Sequence, residues 1–515
     1  MEKSKIVKHF NTQGPCIQGR DYMVDISGKV AAITTNYIDP GKYFTINRGR
    51  QYGKTTTITA LENSLGGDYI VASMSFESMG DVNFESEEVF VKTFMKKMGW
   101  NNCFVSSFFT LNKYISKKCK SKKIILIVDE VDKSSNLRVF INFLGLLRDK
   151  YIDRSKGRCE TFHSVILAGV HDVKNIKEKM IRSGVYSPRP EEGTVTYNSP
   201  WNIAAPFSLD MSFSPVEIAS MLSDYEADHQ TGMDIEAMSR EIYEWTSGYP
   251  FLVSRLCQII DEDLKAEWTS AGLLKALKRI IREQNTLFDD MIKNMEMYPD
   301  LYNYIYDMLI AGVDVRESVL DPVIQRALMF SILRKEEDGI KIDNKIFEKV
   351  LMDYFVSKDD RAIRAKTQNS GVLKYDVVKD GCFNMELTLR KFAEHYKRIY
   401  ADKDVDFWEK HARLIFLSYL VPLINGEGFY HLESQFTDAR RMDIVINYGK
   451  DEFIIELKLW HGEASEKEAY NQLSAYLKSK NTSTGYLVVF DTRKRRQPKE
   501  DWVENEGCRI FEVVL

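Results

Sequence analysis

The sequence predicts an α/β multidomain chain whose large N-terminal domain is a parallel sheet with helices on both faces. Three observations carry this. Tyr43 to Leu61, YFTINRGRQYGKTTTITAL, reads as a buried strand, a tight loop and a helix; Lys122 to Asp132, KKIILIVDEVD, reads as an apolar strand ending in carboxylates. Between and after them, strands and helices alternate with short loops, which is how a parallel sheet is wound. The chain has 515 residues. That exceeds what one core supports at about 150 residues per domain, so several domains are expected.

The first stretch has the order a phosphate-binding loop requires. Arg50-Gln51-Tyr52-Gly53-Lys54-Thr55-Thr56 is the expected ATP cradle. Backbone N–H groups at the helix start face the phosphates, Lys54 reaches the β and γ oxygens, and the Thr55 hydroxyl holds Mg²⁺. The usual GxxxxGK[ST] has a glycine where this chain has Arg48, and Gly49 stands one residue late. In the second stretch Asp129 is placed to join Thr55 on Mg²⁺, and Glu130 to orient or deprotonate the attacking water.

Composition narrows the function classes. Hydrophobic residues make up 44% and charged residues 28%, with a formal net charge of −4. Such a chain is globular and has no global attraction for nucleic acid or an anionic membrane, so any nucleic-acid binding rests on local patches. Seven scattered cysteines without metal-ligand spacing imply a reduced, cytoplasmic chain with no zinc site. The apolar run Leu414 to Ile424 contains Pro422 and is too short to span a bilayer, so it is read as a buried helix and no membrane partner is expected.

In chain order, residues 1–40 form an arm with a helix whose apolar face is Val30, Ile33 and Ile38; Tyr22 either covers the nucleotide base or packs on the sheet. The ATPase core spans 41–212. It adds an alternating strand at Tyr69 to Phe76, helices at Ser86 to Met98, Phe104 to Ile115 and Leu137 to Lys150, and strands at Ser164 to Val170 and Phe207 to Met211. His171-Asp172 either sense the γ-phosphate or cap the next helix. A helical lid spans 213–285: Ser214-Pro215-Val216-Glu217 opens it with a capping box, and Thr246 to Pro250 breaks it with a turn. Residues 286–356 are expected to be a winged helix, since Leu301 to Phe355 reads helix, helix, helix, a hairpin within Ile332 to Ile342 and a helix from Lys345. A polar linker covers 357–380 and a C-terminal domain 381–515.

In the C-terminal domain a helix from Asp404 to Ile424 carries Glu409. Strands follow at Phe429 to Gln435, Met442 to Asn447 and Glu452 to Trp460, the last two joined by the turn Tyr448-Gly449-Lys450-Asp451. Glu456 and Lys458 are two apart, so a strand puts both on one face, and the hairpin brings Asp443 alongside. Carboxylate oxygens suit Mg²⁺ or Mn²⁺, and a lysine beside the metal can orient water and stabilise phosphoryl charge. Gln472 and Tyr476 lie one turn apart on the next helix, Tyr486 to Asp491 is a further strand, and Arg493 to Arg496 form a basic run.

Residues 6–61 and 199–255 resemble a large group of bacterial proteins with an AAA-like P-loop ATPase domain, in which an RPRQYGKTT-type loop replaces the glycine-first loop. Arg48 to Thr56 matches it, with Gly49 where proline is common. Gly248-Tyr249-Pro250 is similar to the Gly-x-Pro element of STAND-type ATPases, which also carry a winged helix after the lid. The C-terminal part resembles the PD-(D/E)XK nuclease superfamily, in its QxxxY subgroup, on Arg441-Met442-Asp443, Ile455-Glu456-Leu457-Lys458 and Gln472 to Tyr476. That resemblance implies metal ligation by Asp443, Glu456 and Glu409, a catalytic Lys458, and Gln472 and Tyr476 positioning the nucleic-acid strand.

The expectation is an ATP-binding switch, a homo-oligomer when ATP is bound, coupled to a Mg²⁺- or Mn²⁺-dependent nuclease that acts on DNA rather than RNA, in defence against foreign DNA. The alternatives are an NTP-switched scaffold whose nuclease-like domain binds without cutting, and an accessory protein of a mobile element or restriction system.

Overall fold

Apolar, β-branched runs set the central strands. Ile124 to Val128 are almost wholly buried within β3 (Lys123–Asp129), which lies between β4 (Ser164–Gly169) and β2 (Tyr69–Ser75), with β1 (Tyr43–Asn47) beyond β4. All pairings are parallel, in the order β1-β4-β3-β2. A strand buried on both faces needs a continuous apolar sequence, and β3 has one. This is a computed structural model of the protein; it describes residues 8–134, 137–169, 201–311, 318, 320–336, 339–364, 374–379, 381–399, 405–424, 427–434, 442–460, 462–491, 493 and 499–515. Two units partition the chain: residues 1–280 with 327–332, and 281–326 with 333–515.

In the first unit, α1 (Ser27–Ile33) runs into a π-turn, and α2 (Lys54–Ser64), α3 (Glu87–Lys97), α4 (Phe108–Cys119) and α5 (Leu137–Ser155) accompany the sheet. The core between sheet and helices is aromatic, with Phe76, Phe84, Phe90, Phe94, Phe140 and Phe143 all buried. Two expectations shift. The helix expected from Phe104 starts at Phe108, because Ser107 and Thr110 close a capping box there, and Phe104 is left 84% exposed. No strand forms at Phe207 to Met211. The pairing beyond β1 is the single parallel bridge Phe44–Ala205; past Pro206 the backbone is bonded by side chains, Ser208 N–H to the Tyr37 hydroxyl and Leu209 C=O from Arg48 Nη2. His171 and Asp172 lie outside the described residues.

The lid comprises α6 (Pro215–His229), α7 (Ile235–Thr246), α8 (Pro250–Gln258) and α9 (Ser270–Ile281). Its first helix carries the capping box expected at Ser214 and Glu217. Between α7 and α8, Ser247 and Gly248 both adopt positive φ, and Gly248 C=O accepts from Phe213 N–H at 2.8 Å.

The second unit begins with α10 (Thr286–Met297), α11 (Pro299–Tyr306), α12 (Pro322–Met329), the hairpin β5 (Leu333–Glu336) and β6 (Gly339–Ile342), and α13 (Lys345–Arg364). Between Leu301 and the hairpin the described residues form two α-helices where three were expected, the first running on into a π-turn at Asp307–Ala311, and α13 runs through Arg364, so residues 357–364 are helix and not linker. Lys358 ties this stretch back, its amine 3.0 Å from the Tyr354 hydroxyl and 3.4 Å from Glu296. Next come α14 (Lys374–Val377), the short pair β7 (Val378–Lys379) and β8 (Cys382–Phe383), α15 (Met385–Ile399) and α16 (Val405–Ile424). The large sheet is built from β9 (Gly428–Ser434), β10 (Met442–Tyr448), β11 (Asp451–Leu459), β12 (Thr484–Phe490), β13 (Lys499–Asn505) and β14 (Cys508–Val514), with α17 (Glu463–Ser479) between β11 and β12. Its order is β13-β14-β12-β11-β10-β9, parallel at β11-β12-β14 and antiparallel elsewhere. The final hairpin, β13 and β14, was not anticipated from sequence. Among the described residues no helix is long and apolar enough to cross a membrane.

Gly248 has φ +73°, and a Cβ there would lie 1.9 Å from Phe213 O. Gly248→Ala should therefore cost about 2 kcal/mol or more, beyond the range of ordinary surface substitutions. Denaturant unfolding followed by tryptophan fluorescence measures it, and an unchanged midpoint would refute the close approach.

Candidate functional site

The phosphate loop leaves β1 and enters α2 with two left-handed residues, Gln51 at φ 55° and Gly53 at φ 76°. Lys54 starts α2 and is 6% exposed; its amine donates to the carbonyls of Arg48 at 3.0 Å and Gly49 at 2.8 Å. Burial pushes the Lys54 pKa down, and Glu130, Asp132 and Asp129 oppose that shift. The Thr55 hydroxyl donates to Asp129 Oδ2 at 3.0 Å, joining the start of α2 to the end of β3. A hydroxyl and a carboxylate oxygen at this distance are a hard donor set that fits Mg²⁺. Thr56 faces the arm, its Oγ1 accepting from Cys16 N–H at 3.4 Å. Tyr22 packs instead against Phe10 and Tyr225, at 5.1 Å from each ring centroid, and bonds His229 at 2.9 Å. It is 2% exposed, in an aromatic core between arm and lid.

Glu130 follows Asp129 with φ 53° and ψ 44°, a left-handed conformation that a side-chain-bearing residue adopts at a cost. Its carboxyl pKa is raised, first by burial and then by the nearby Asp132 charge. Asp132 is the acidic residue that sequence reasoning passed over. Its Oδ1 lies 2.5 Å from where a side chain on Gly169, at the end of β4, would begin. The available signal was the Asp-Glu-Val-Asp spacing: one tight turn after β3 returns the third carboxylate to the strand ends.

Two later parts of the first unit hold the loop. The Tyr249 hydroxyl donates to Arg50 C=O, and its ring meets Tyr52 edge-on at 4.6 Å. Gly49 N–H donates to Ser331 Oγ at 3.0 Å, and a Cβ on Gly49 would lie 2.9 Å from both Phe330 O and Ser331 Oγ. Proline has neither the N–H nor the space. The glycine that departs from the resembled loop therefore matches a close approach of the chain at Phe330 and Ser331.

In the second unit, Glu456 is 4% exposed on β11, and Lys458 Nζ lies 3.8 Å from its Oε1. Ile444 pairs with Ile455, so position 443 stands one step beyond that pair on β10, opposite position 456. The Asp443 side chain lies outside the described residues, as does that of Glu409. Leu487 and Val489, the β12 partners of Glu456 and Lys458, pack with Leu473, Tyr476 and Leu477 of α17. Alternation thus puts Glu456 and Lys458 on the face that α17 covers. Gln472 Nε2 donates to Glu468 at 2.9 Å, and its Oε1 is buried with no hydrogen-bond partner among the described residues. Tyr476 is 8% exposed, with the Lys480 amine 5.6 Å from its ring centroid. Further along the helix that carries position 409, Phe416 and Tyr419 pack on Phe392, which packs on Phe490, and Phe490 belongs to the opposite face of the sheet. The described atoms thus bring Glu456, Lys458, Gln472 and Tyr476 to one face. Arg493 lies past the end of β12; positions 494–496 are outside the described residues.

Residues 429–500 match the PD-(D/E)XK nuclease superfamily. Curated protein sequences provide no match. Among solved structures, the Walker-type ATPase PABY2304 of Pyrococcus abyssi aligns at 12% identity over 66% of this chain and 99% of its own, with a TM-score of 0.41. The ORC2 protein of Aeropyrum pernix aligns at 11% identity over 71% and 98%, TM-score 0.36. Cdc6p of Pyrobaculum aerophilum aligns at 10% over 67% and 97%, TM-score 0.32. TM-scores this low leave the description of the first unit to its own strand order and loop geometry.

Overpacking at the Gly49 contact should cost about 1–3 kcal/mol in Gly49→Ala. Ser331→Ala, added to it, should return part of that loss, because Ser331 Oγ is one of the two atoms in the way. A double-mutant cycle of unfolding free energies with no coupling would contradict the contact.

Proposed function

We propose that this chain is an ATP-binding switch of AAA/STAND type joined to a metal-dependent nuclease of the QxxxY subgroup that acts on DNA. ATP occupancy, with ATP-driven self-association, gates cleavage, and the setting is defence against foreign DNA. The proposed division is an arm (1–40), ATPase core (41–212), lid (213–285), winged helix with its long last helix (286–364), linker (365–380) and nuclease domain (381–515). The observation that carries the reading is the buried Glu456–Lys458 pair, opposite position 443 and inside the segment that matches the nuclease superfamily.

At the first site, Lys54 exchanges the Arg48 and Gly49 carbonyls for β- and γ-phosphate oxygens, which compensates its burial with full charges. Thr55 and Asp129 would hold Mg²⁺, and Glu130 would orient the attacking water. At the second, Asp443 and Glu456 hold Mg²⁺ or Mn²⁺, which when bound neutralises phosphoryl charge and supplies a water of lowered pKa. Lys458 would orient the attacking water and stabilise the charge that develops on the phosphoryl group. Gln472 and Tyr476, on the helix beside this pair, position the nucleic-acid strand.

Purified protein incubated with plasmid, linear DNA and RNA, with Mg²⁺ or Mn²⁺ and with or without ATP, tests the reading. Cleavage of DNA should be lost in Glu456→Ala and slowed about 10²- to 10⁴-fold in Lys458→Ala, which keeps the metal ligands. Wild-type protein inert on all of these would favour the scaffold.

Hydrolysis of ATP should fall as pH falls, because Glu130 with its raised pKa is protonated at a higher pH than an ordinary carboxyl. Asp132→Asn removes a charge that raises that pKa. The acidic limb of the kcat profile should then move to lower pH, and a limb that stays in place would remove Asp132 from this role.

A further inference from the structure

Trp460 follows Lys458 by two residues at the end of β11, and its N–H continues the ladder to Phe490 C=O at 3.0 Å. Alternation puts it on the Glu456–Lys458 face, and its ring packs against the cluster that contains Leu473 and Tyr476. The Arg493 guanidinium lies 3.4 Å from the indole centroid. Asp491, fully buried, fixes it from behind: Arg493 Nε donates to Oδ1 at 2.9 Å and Oδ2 at 3.0 Å, and Nη2 to Oδ2 at 2.6 Å. The Arg493 side chain nevertheless remains 49% exposed. A guanidinium held by an aromatic face and a bidentate carboxylate has lost its rotamer freedom before any ligand arrives. The buried carboxylate engages the Nε–Nη2 edge, so the edge bearing Nη1 is directed away from Asp491.

We infer that Trp460 and Arg493 form a subsite for a backbone phosphate of the bound DNA strand, beside the phosphate over Lys458. The inference rests on the nuclease reading above. Positions 458 and 460 are separated by about 6.6 Å along an extended strand, a spacing on the scale of one nucleotide. A planar guanidinium suits a phosphate, and one that is half-exposed and already immobilised meets it at little entropic cost. Trp460 serves as the platform and Arg493 as the contact.

Binding of a fluorescent DNA oligonucleotide to the full chain, without divalent cation so that nothing is cut, should be measured over a series of NaCl concentrations. Arg493→Ala should weaken binding about tenfold and lower the slope of log affinity against log salt by about one, the signature of one lost phosphate contact. Arg493→Gln, which can still bond Asp491, should lose the same unit of slope, and Arg493→Lys should keep it. A weaker affinity with the wild-type slope in Ala and Gln variants of normal melting temperature would assign Arg493 to holding Trp460 in place, and overturn the inference. Wild-type protein that cuts DNA while Arg493→Gln binds it unchanged overturns the subsite alone; wild-type protein that binds no DNA overturns the nuclease reading and the subsite with it.

Discussion

A charge taken out of water must be met by another charge or by a full set of hydrogen bonds, and both candidate sites are built around that constraint. Apolar strands create it. The strand from Lys123 is buried almost to its last residue, so Asp129, 7% exposed, ends where water is already scarce. The helix opened by Gly53-Lys54 brings an ammonium to the same strand ends, itself 6% exposed. Each group alone would be costly to bury. Together, with the Thr55 hydroxyl on Asp129 and the Arg48 and Gly49 carbonyls on Lys54, they form a satisfied cluster whose partners can be exchanged for phosphate oxygens.

The same rule recurs in the second unit. Glu456 lies in the middle of a six-stranded sheet, 4% exposed, and Lys458 is its near counter-charge at 3.8 Å. Glu512, on the same face and fully buried, has Lys499 at 2.8 Å. Asp491 has Arg493. The three buried carboxylates, Glu456, Glu512 and Asp491, thus each have a cation from the strand or loop beside them.

The phosphate loop depends on contacts far away in the chain. Tyr249 reaches Arg50 across 199 positions, and Ser331 reaches Gly49 across 282. The loop has two left-handed residues of its own and a glycine pressed against a backbone carbonyl, so its shape is set jointly by the lid turn and by the segment after α12. Any change of the loop must be accommodated by both.

Periodicity and local chemistry determined much by themselves. A short apolar, β-branched run bounded by turn residues suits a doubly buried strand, a Ser-Pro-x-Glu start closes a capping box, and a turn between two alternating strands fixes which residues stand opposite each other; β1, β3, the lid entry and the register of Ile444 with Ile455 follow from such rules. Lys54, Thr55, Asp129, Glu456 and Lys458 were legible because strand ends and helix starts lie next to them in sequence. The tertiary structure decided what local rules do not reach. The return of Asp132 onto Gly169, the Ser331 contact that makes room for a glycine and not a proline, the Arg493 guanidinium on Trp460, and the packing of Phe416 on Phe392 all depend on residues that meet only through packing. The strand expected at Phe207 to Met211 failed for the same reason: its composition suits a strand, but side chains from Tyr37 and Arg48 took its backbone groups first.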